Sequence, residues 1–209
     1  MHAGFAIGNT DTPFYNGQFL ADAEDVVVIT LNYRLNIFGF PGAPNNTQNL
    51  GLRDQRLAVE WIRDNIAGFG GNSSKLTIFG QSAGGVAVDY WSYAYAKDPI
   101  VSSFISQSGN ALSFPLNAAN LTTSNWYTVS SKLGCGSSGN TLACMRKQDW
   151  TDITAAAATV AASSDGSPLR SVPAFYPTVD NVTVFSNYTD LSDEGKFAKL
   201  VSLSFSSVK

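Results

Sequence analysis

Leu76-Thr77-Ile78-Phe79-Gly80-Gln81-Ser82-Ala83-Gly84-Gly85 decides the fold. A short apolar run leads into a serine flanked by glycines at two residues before and two after, and small residues follow at once. That order predicts a strand over Leu76–Phe79, a tight turn, and a helix from about Ala83 to Tyr95. The glycines let the backbone turn sharply without side-chain clashes, so the hydroxyl stands clear at the end of a sheet. A serine so presented is a nucleophile that needs a proton acceptor and an acid later in the chain. The only histidine is His2, which precedes it. The sequence thus names a chemistry and lacks a downstream base for it.

Working outward, Val26-Val27-Val28-Ile29-Thr30-Leu31 is a continuous run rich in β-branched residues, the pattern of a strand buried on both faces of a parallel sheet. From Leu52 a helical period places Leu57, Ala58, Trp61, Ile62 and Ile66 on one face, and Gly68 and Gly70-Gly71 end it. Ser103–Ser106 reads as another strand. Strand, helix, strand, helix, strand is a parallel α/β arrangement. Beyond Phe114, the stretches 125–133 and 149–162 read as helices without intervening strands, an insertion expected to cover one edge of the sheet. Val172–Val184, with Pro173 and Pro177, reads as loop with a short strand or two. The expected organisation is one incomplete domain over 1–209: a sheet core over 1–115, a helical insertion over 116–170 and an irregular segment over 171–209. Gly68-Phe69-Gly70-Gly71 lacks the endings of a phosphate loop.

Composition sets the class. The 209 residues are 44% apolar and 14% charged, with a net charge of −3 and no polybasic tract, which argues against a nucleic-acid partner. No apolar stretch approaches the roughly 18 residues of a membrane span. No metal-ligand set accompanies the two cysteines, Cys135 and Cys144, whose spacing suits a small closed loop; two reduced, partly buried thiols are the other reading. Five glycosylation sequons begin at Asn45, Asn72, Asn120, Asn181 and Asn187. Sequons and a disulfide lean towards a secreted protein, whereas Met1–Phe5 lacks the features of a signal peptide. A chain that begins inside its domain reconciles the two.

Together these motifs resemble the type B carboxylesterase/lipase family, α/β-hydrolases that include cholinesterases and secreted fungal lipases. Asn32-Tyr33-Arg34 with Gly39-Phe40, then Asn49-Leu50-Gly51-Leu52 with Asp54-Gln55 and Trp61, then Gly80–Gly85, then Gln107-Ser108-Gly109 are similar to its signature stretches. Phe175–Asp180 is a weaker match, and the cysteine pair sits where the family places a small disulfide. Members are more than twice this length, so the resemblance implies a central piece, a fragment or an incomplete gene model. The family's acid and histidine would lie beyond about Leu200, and Val201–Lys209 departs from the proline-containing strand expected there.

The resemblance implies a serine carboxylesterase or lipase working through an acyl-enzyme on a small-molecule or lipid ester, with no metal or organic cofactor, this chain alone being inactive. Ser82 is its nucleophile. Ala83, Gly4 and Ala3 supply backbone N–H groups to the oxyanion, although the family usually has glycine at Ala3. Gln81 and Ser108 are supporting groups behind the nucleophile. His2 is expected to be a solvated loop residue, and Asp193-Glu194-Gly195 comes too early to be the acid. Asp54, Asp64 and Arg63 are expected to form ion pairs that orient the serine turn. The rival readings are a non-catalytic, cholinesterase-like interaction domain and a non-functional truncated product.

Overall fold

The computed structural model describes residues 1–2, 4–162, 172–200 and the backbone of 202–206. Its helices and strands, in chain order, are α1 (Gln18–Glu24), α2 (Asn36–Gly39), α3 (Leu50–Asn65), β1 (Thr77–Gln81), α4 (Ala83–Ala94), β2 (Ser103–Gln107), α5 (Ala119–Lys132), α6 (Leu142–Met145), α7 (Trp150–Ala158), α8 (Tyr188–Asp193) and β3 (Ser202–Ser206). The three strands form one sheet in the order β1-β2-β3, all parallel, with Thr77 opposite Ser103 and Ser103 opposite Ser202. The parallel α/β reading holds.

α4 lies across β1 and β2. Its first six residues, Ala-Gly-Gly-Val-Ala-Val, are all buried, because small side chains let the helix axis approach the sheet closely. Val88 and Trp91 of α4 pack with Val59, Ile78, Val101 and Phe104 to form the core beneath the strands. A second core, at the end of the strands where the serine turn sits, gathers Phe5, Tyr33, Phe40, Leu52, Val86, Tyr90 and Tyr176.

Several elements differ from the sequence reading. Val26–Leu31 forms no strand among the described residues, and Val27 is 48% exposed. A β-branched run supplies strand propensity, but a ladder also needs a neighbour. The α3 stripe that faces inward is Leu52, Gln55 and Val59, continued by Ile66, while Leu57 is 66% and Trp61 55% exposed. These buried positions keep the i, i+3, i+4 rhythm; the polar Gln55 on the stripe concealed it. α5 and α7 pack with Ile37, Ala43, Ala174 and Phe175, so these helices rest on the α2 region and, among the described residues, form a core apart from those that touch the strands. Within 171–209, expected to be irregular, α8 and β3 are regular. Ser202-Leu203-Ser204-Phe205-Ser206 carries the period-2 alternation of a strand.

Cys135 and Cys144 are joined in a disulfide with their Cα atoms 5.6 Å apart. All five sequon asparagines are exposed. Among the described residues no helix is long and apolar enough to cross a membrane.

Candidate active site

Ser82 stands between the last residue of β1 and the first of α4 with φ 55° and ψ −119°. A non-glycine residue in this region is strained by about 1–3 kcal/mol and persists only where its surroundings fix it. They do so here. The Ser82 N–H donates to the Gln107 carbonyl at the end of β2 (2.8 Å), and the Ser82 carbonyl accepts from the Val86 N–H (2.9 Å) to open the helix. The glycines of the motif are explained by contact. A Cβ on Gly80 would lie 2.4 Å from the Gly84 carbonyl carbon, and one on Gly109 would lie 2.1 Å from the Ser82 oxygen. The turn crosses over itself too closely for any side chain. Ser82 itself is half-buried, at the rim and not in the core.

Ala83, buried, is the first residue of α4. Its N–H is one of the helix-start donors that have no intrahelical acceptor, at the positive end of the helix dipole. Gln81 closes β1 half-buried, opposite Gln107.

The segment before residue 6 approaches the same helix start. A Cβ on Gly84 would meet the Met1 carbonyl oxygen at 2.4 Å and that of His2 at 3.0 Å, so this backbone lies directly on the elbow. Gly4 has φ +133°, open to glycine alone. The Tyr33 hydroxyl donates to the carbonyls of Gly4 (2.8 Å) and His2 (3.1 Å), and the Asn36 N–H donates to that of Phe5 (2.8 Å). Burial pushes the Tyr33 phenol far above its ordinary value, which keeps it a donor. Ala3 lies outside the described residues.

His2 departs from expectation. It is 2% exposed, and its ring stacks on Tyr33 with centroids 4.2 Å apart and planes 6° from parallel. Position near a chain end gave no signal of burial, whereas a flat aromatic partner provides it.

Ser108 follows β2 as Ser82 follows β1, and it too is left-handed, with φ 51°. Two adjacent parallel strands therefore end on strained serines. Between them, buried Ser106 donates to the carbonyls of Gly85 (3.0 Å) and Gly109, binding α4 to the β2 turn. Asp89 of α4 accepts from the Ala111 N–H (2.7 Å) and holds the following loop. Desolvation raises the Asp89 pKa, offset in part by hydrogen bonds from Ala111 and Ser92. Neither residue carried a sequence signal, since a lone serine in a strand and a lone aspartate in a helix look ordinary.

Of the ion pairs, Asp54 bonds Arg34 in a fork, with Nε–Oδ2 at 2.8 Å and the second guanidinium nitrogen 2.6 Å from Oδ1, which ties the residue after Tyr33 to α3. Arg63 and Asp64 bond only each other at the exposed end of α3 and orient nothing at the serine turn. Buried Asn49 links α3 to the distant Phe175–Asp180 stretch by donating to the Thr178 carbonyl and Thr183 Oγ1, both 2.8 Å, and accepting from the Thr178 N–H (2.8 Å). Among the described residues no group of three metal-ligating side chains gathers.

The family model described as the carboxylesterase family matches residues 1–202. The chain is 38% identical over 199 residues to secreted lipase 5 of Gibberella zeae, covering 90% of this chain and 36% of that one. It is 40% identical over 177 residues to a chlorogenic acid esterase of Aspergillus niger (83% and 33%), and 37% identical over 160 residues to the cholinesterase of Mus musculus (72% and 26%). It spans about a third of the length of these curated relatives.

Proposed function

The chain belongs to the carboxylesterase family of α/β-hydrolases, and from that premise we propose that it carries the nucleophilic half of a carboxylic ester hydrolase, with Ser82 forming the acyl-enzyme. The observation that carries this reading is the Ser82 backbone, strained to φ 55° at the mouth of a buried helix start.

In the reaction, a base takes the Ser82 Oγ proton as Oγ bonds to the ester carbonyl carbon. The carbonyl oxygen becomes an oxyanion, and its stabilisation is assigned to the backbone N–H groups of Ala83 and Gly4 and, by the family pattern, of Ala3. Losing one such donor lowers turnover by roughly 10²–10³. The alkoxide leaves with the proton that the base held. Water then attacks the acyl carbon, and the acid departs as Oγ regains its proton. Gln81 and Ser108 support the turn. The sole histidine, His2, is taken up by its stack on Tyr33 and is not assigned as base. No residue among these 209 is assigned as the base or the acid, and a serine without its base turns over roughly 10⁶-fold below a complete triad.

The ester is a small-molecule or lipid carboxylic ester, and the setting is extracellular. The secreted lipase relatives and the disulfide support that setting, and the exposed Asn45, Asn72, Asn120, Asn181 and Asn187 are the proposed glycan acceptors.

A fluorophosphonate probe tests the reading. On the folded chain, at probe concentrations and incubation times long enough to offset the rate lost with the base, a slow adduct is expected on Ser82 alone, and Ser82→Ala removes it. Equal labelling of other serines, or none at Ser82, overturns it.

A further inference from the structure

Gln55 lies on the buried stripe of α3 with Leu52 and Val59, is 1% exposed, and its Nε2 has no acceptor among the described residues. A primary amide taken out of water without a partner is costly, and buried polar groups are therefore almost always bonded. An orphaned donor at this depth points to a ligand that the fold keeps beside it.

The same side chain lines a cavity of about 10 Å³ where α3, α4 and Thr183 meet. Leu52 and Ala87 give the cavity apolar walls, whereas Tyr90, Tyr95 and Thr183 are hydroxyl-bearing residues of its lining. Tyr90 is 4% exposed, and no hydrogen bond among the described residues takes up the hydroxyl of Tyr90 or of Tyr95. Burial pushes both phenols above their ordinary value, so both stay neutral. Thr183 Oγ1 is already engaged, donating to Asp180 Oδ2 (2.9 Å) and accepting from Asn49 Nδ2 (2.8 Å). A cavity of this size holds one water molecule and no larger ligand.

We infer that this cavity is the site of a single structural water, which accepts from Gln55 Nε2 and donates to the hydroxyl oxygens of the lining. Chemistry selects water over an ion. The ligand must accept from an amide N–H and donate to neutral oxygens, and neither a metal cation nor a halide does both. No charged side chain lines the cavity, so an ion there would be uncompensated. Turning the Gln55 amide over presents an acceptor instead, to which the same water donates. The water joins α3 to α4, beside the Asn49–Thr183–Asp180 bonds that already tie α3 to the distant 178–184 stretch. It also explains why a polar residue occupies the inward stripe of α3.

Cross-relaxation between water and protein tests the assignment. In laboratory-frame and rotating-frame NMR experiments on the folded chain, the Gln55 side-chain amide protons are expected to show a water cross-peak of opposite sign in the two, the mark of a molecule held for longer than about a nanosecond. Relaxation dispersion of the water oxygen, which exchanging tyrosine hydroxyl protons cannot imitate, is expected to lose the amplitude of a single buried molecule on Gln55→Met. That substitution keeps the length of the side chain and removes its hydrogen-bonding groups. A folded parent whose Gln55 amide shows no such cross-peak overturns the proposal, and so does a folded Gln55→Met protein with undiminished dispersion. The first readout decides the matter even where Gln55→Met does not fold. Ser82 labelling plays no part in either readout, so this proposal and the ester-hydrolase reading fail separately.

Discussion

The Tyr33 hydroxyl sits 2.8 Å from the Gly4 carbonyl oxygen and 3.1 Å from that of His2. The Tyr33 side chain therefore fixes the conformation of a loop 29 residues away in sequence. Tyr33→Phe keeps the ring that stacks on His2 and removes only the donor. Two partly buried carbonyls then lose a partner, which costs roughly 1–3 kcal/mol. Because the loop carries a proposed oxyanion donor, the rate of Ser82 phosphonylation is expected to fall by about tenfold or more, towards the roughly 10²-fold loss of a whole donor. Labelling kinetics beside thermal unfolding separate the two effects. An unchanged labelling rate in a destabilised protein would confine Tyr33 to a structural role.

Strain at Ser82 makes a prediction with opposite signs for two substitutions. Ser82→Gly relieves the left-handed backbone and is expected to stabilise the fold by about 1 kcal/mol, even after the added freedom of glycine in the unfolded chain. Ser82→Ala keeps the Cβ, hence the strain, and is expected to leave stability within about 0.5 kcal/mol. Both abolish labelling. Equal stabilities for the two variants, measured by urea unfolding, would show that φ 55° at this position stores nothing.

The nucleophile turn was legible because its constraints are local. Gly80 and Gly84 approach each other within one turn of chain, so spacing alone encodes the geometry. Burial of His2 depends on Tyr33, and pairing of β3 depends on β2 almost a hundred positions earlier; neither relationship leaves a mark within a short window of sequence. Gln55 deceived for a related reason. A polar residue on a helix reads as solvent-facing, but here it lies on the stripe between Leu52 and Val59 and is 1% exposed. Val26–Leu31 shows the reverse, a strong local preference that no strand among the described residues satisfies by pairing with it.

Asp89 gives the fold a pH dependence of definite sign. Desolvation raises its carboxyl above the ordinary value of 3.8, and the hydrogen bonds from Ala111 and Ser92 only partly oppose this. The folded protein therefore holds this proton more tightly than the unfolded chain. The associated stability is complete below pH 3.8 and is lost as pH rises through the folded-state pKa. Asp89→Asn retains an acceptor for the Ala111 N–H and does not ionise. The stability of the variant relative to the parent is expected to increase as pH rises out of the acid range and then level off. Urea midpoints at closely spaced pH values test this, and a difference that stays flat across the range rejects the assignment.

The disulfide is expected to act on a different part of the molecule. Cys135–Cys144 closes a short loop between α5 and α6, in the core formed with α7, and no residue of that core belongs to the serine turn. Closing a loop of this length stabilises by roughly 2–3 kcal/mol in the chain-entropy account. Replacing both cysteines by serine is thus expected to lower the thermal midpoint by about 5–10 °C. At a temperature where the variant remains folded, phosphonylation of Ser82 is expected to proceed at the parent rate, because β1, α4 and the turn after β2 hold that residue, with hydrogen bonds to Gln107 and Val86. A slower reaction under those conditions would mean that the helical insertion reaches the nucleophile through contacts the two separate cores do not contain.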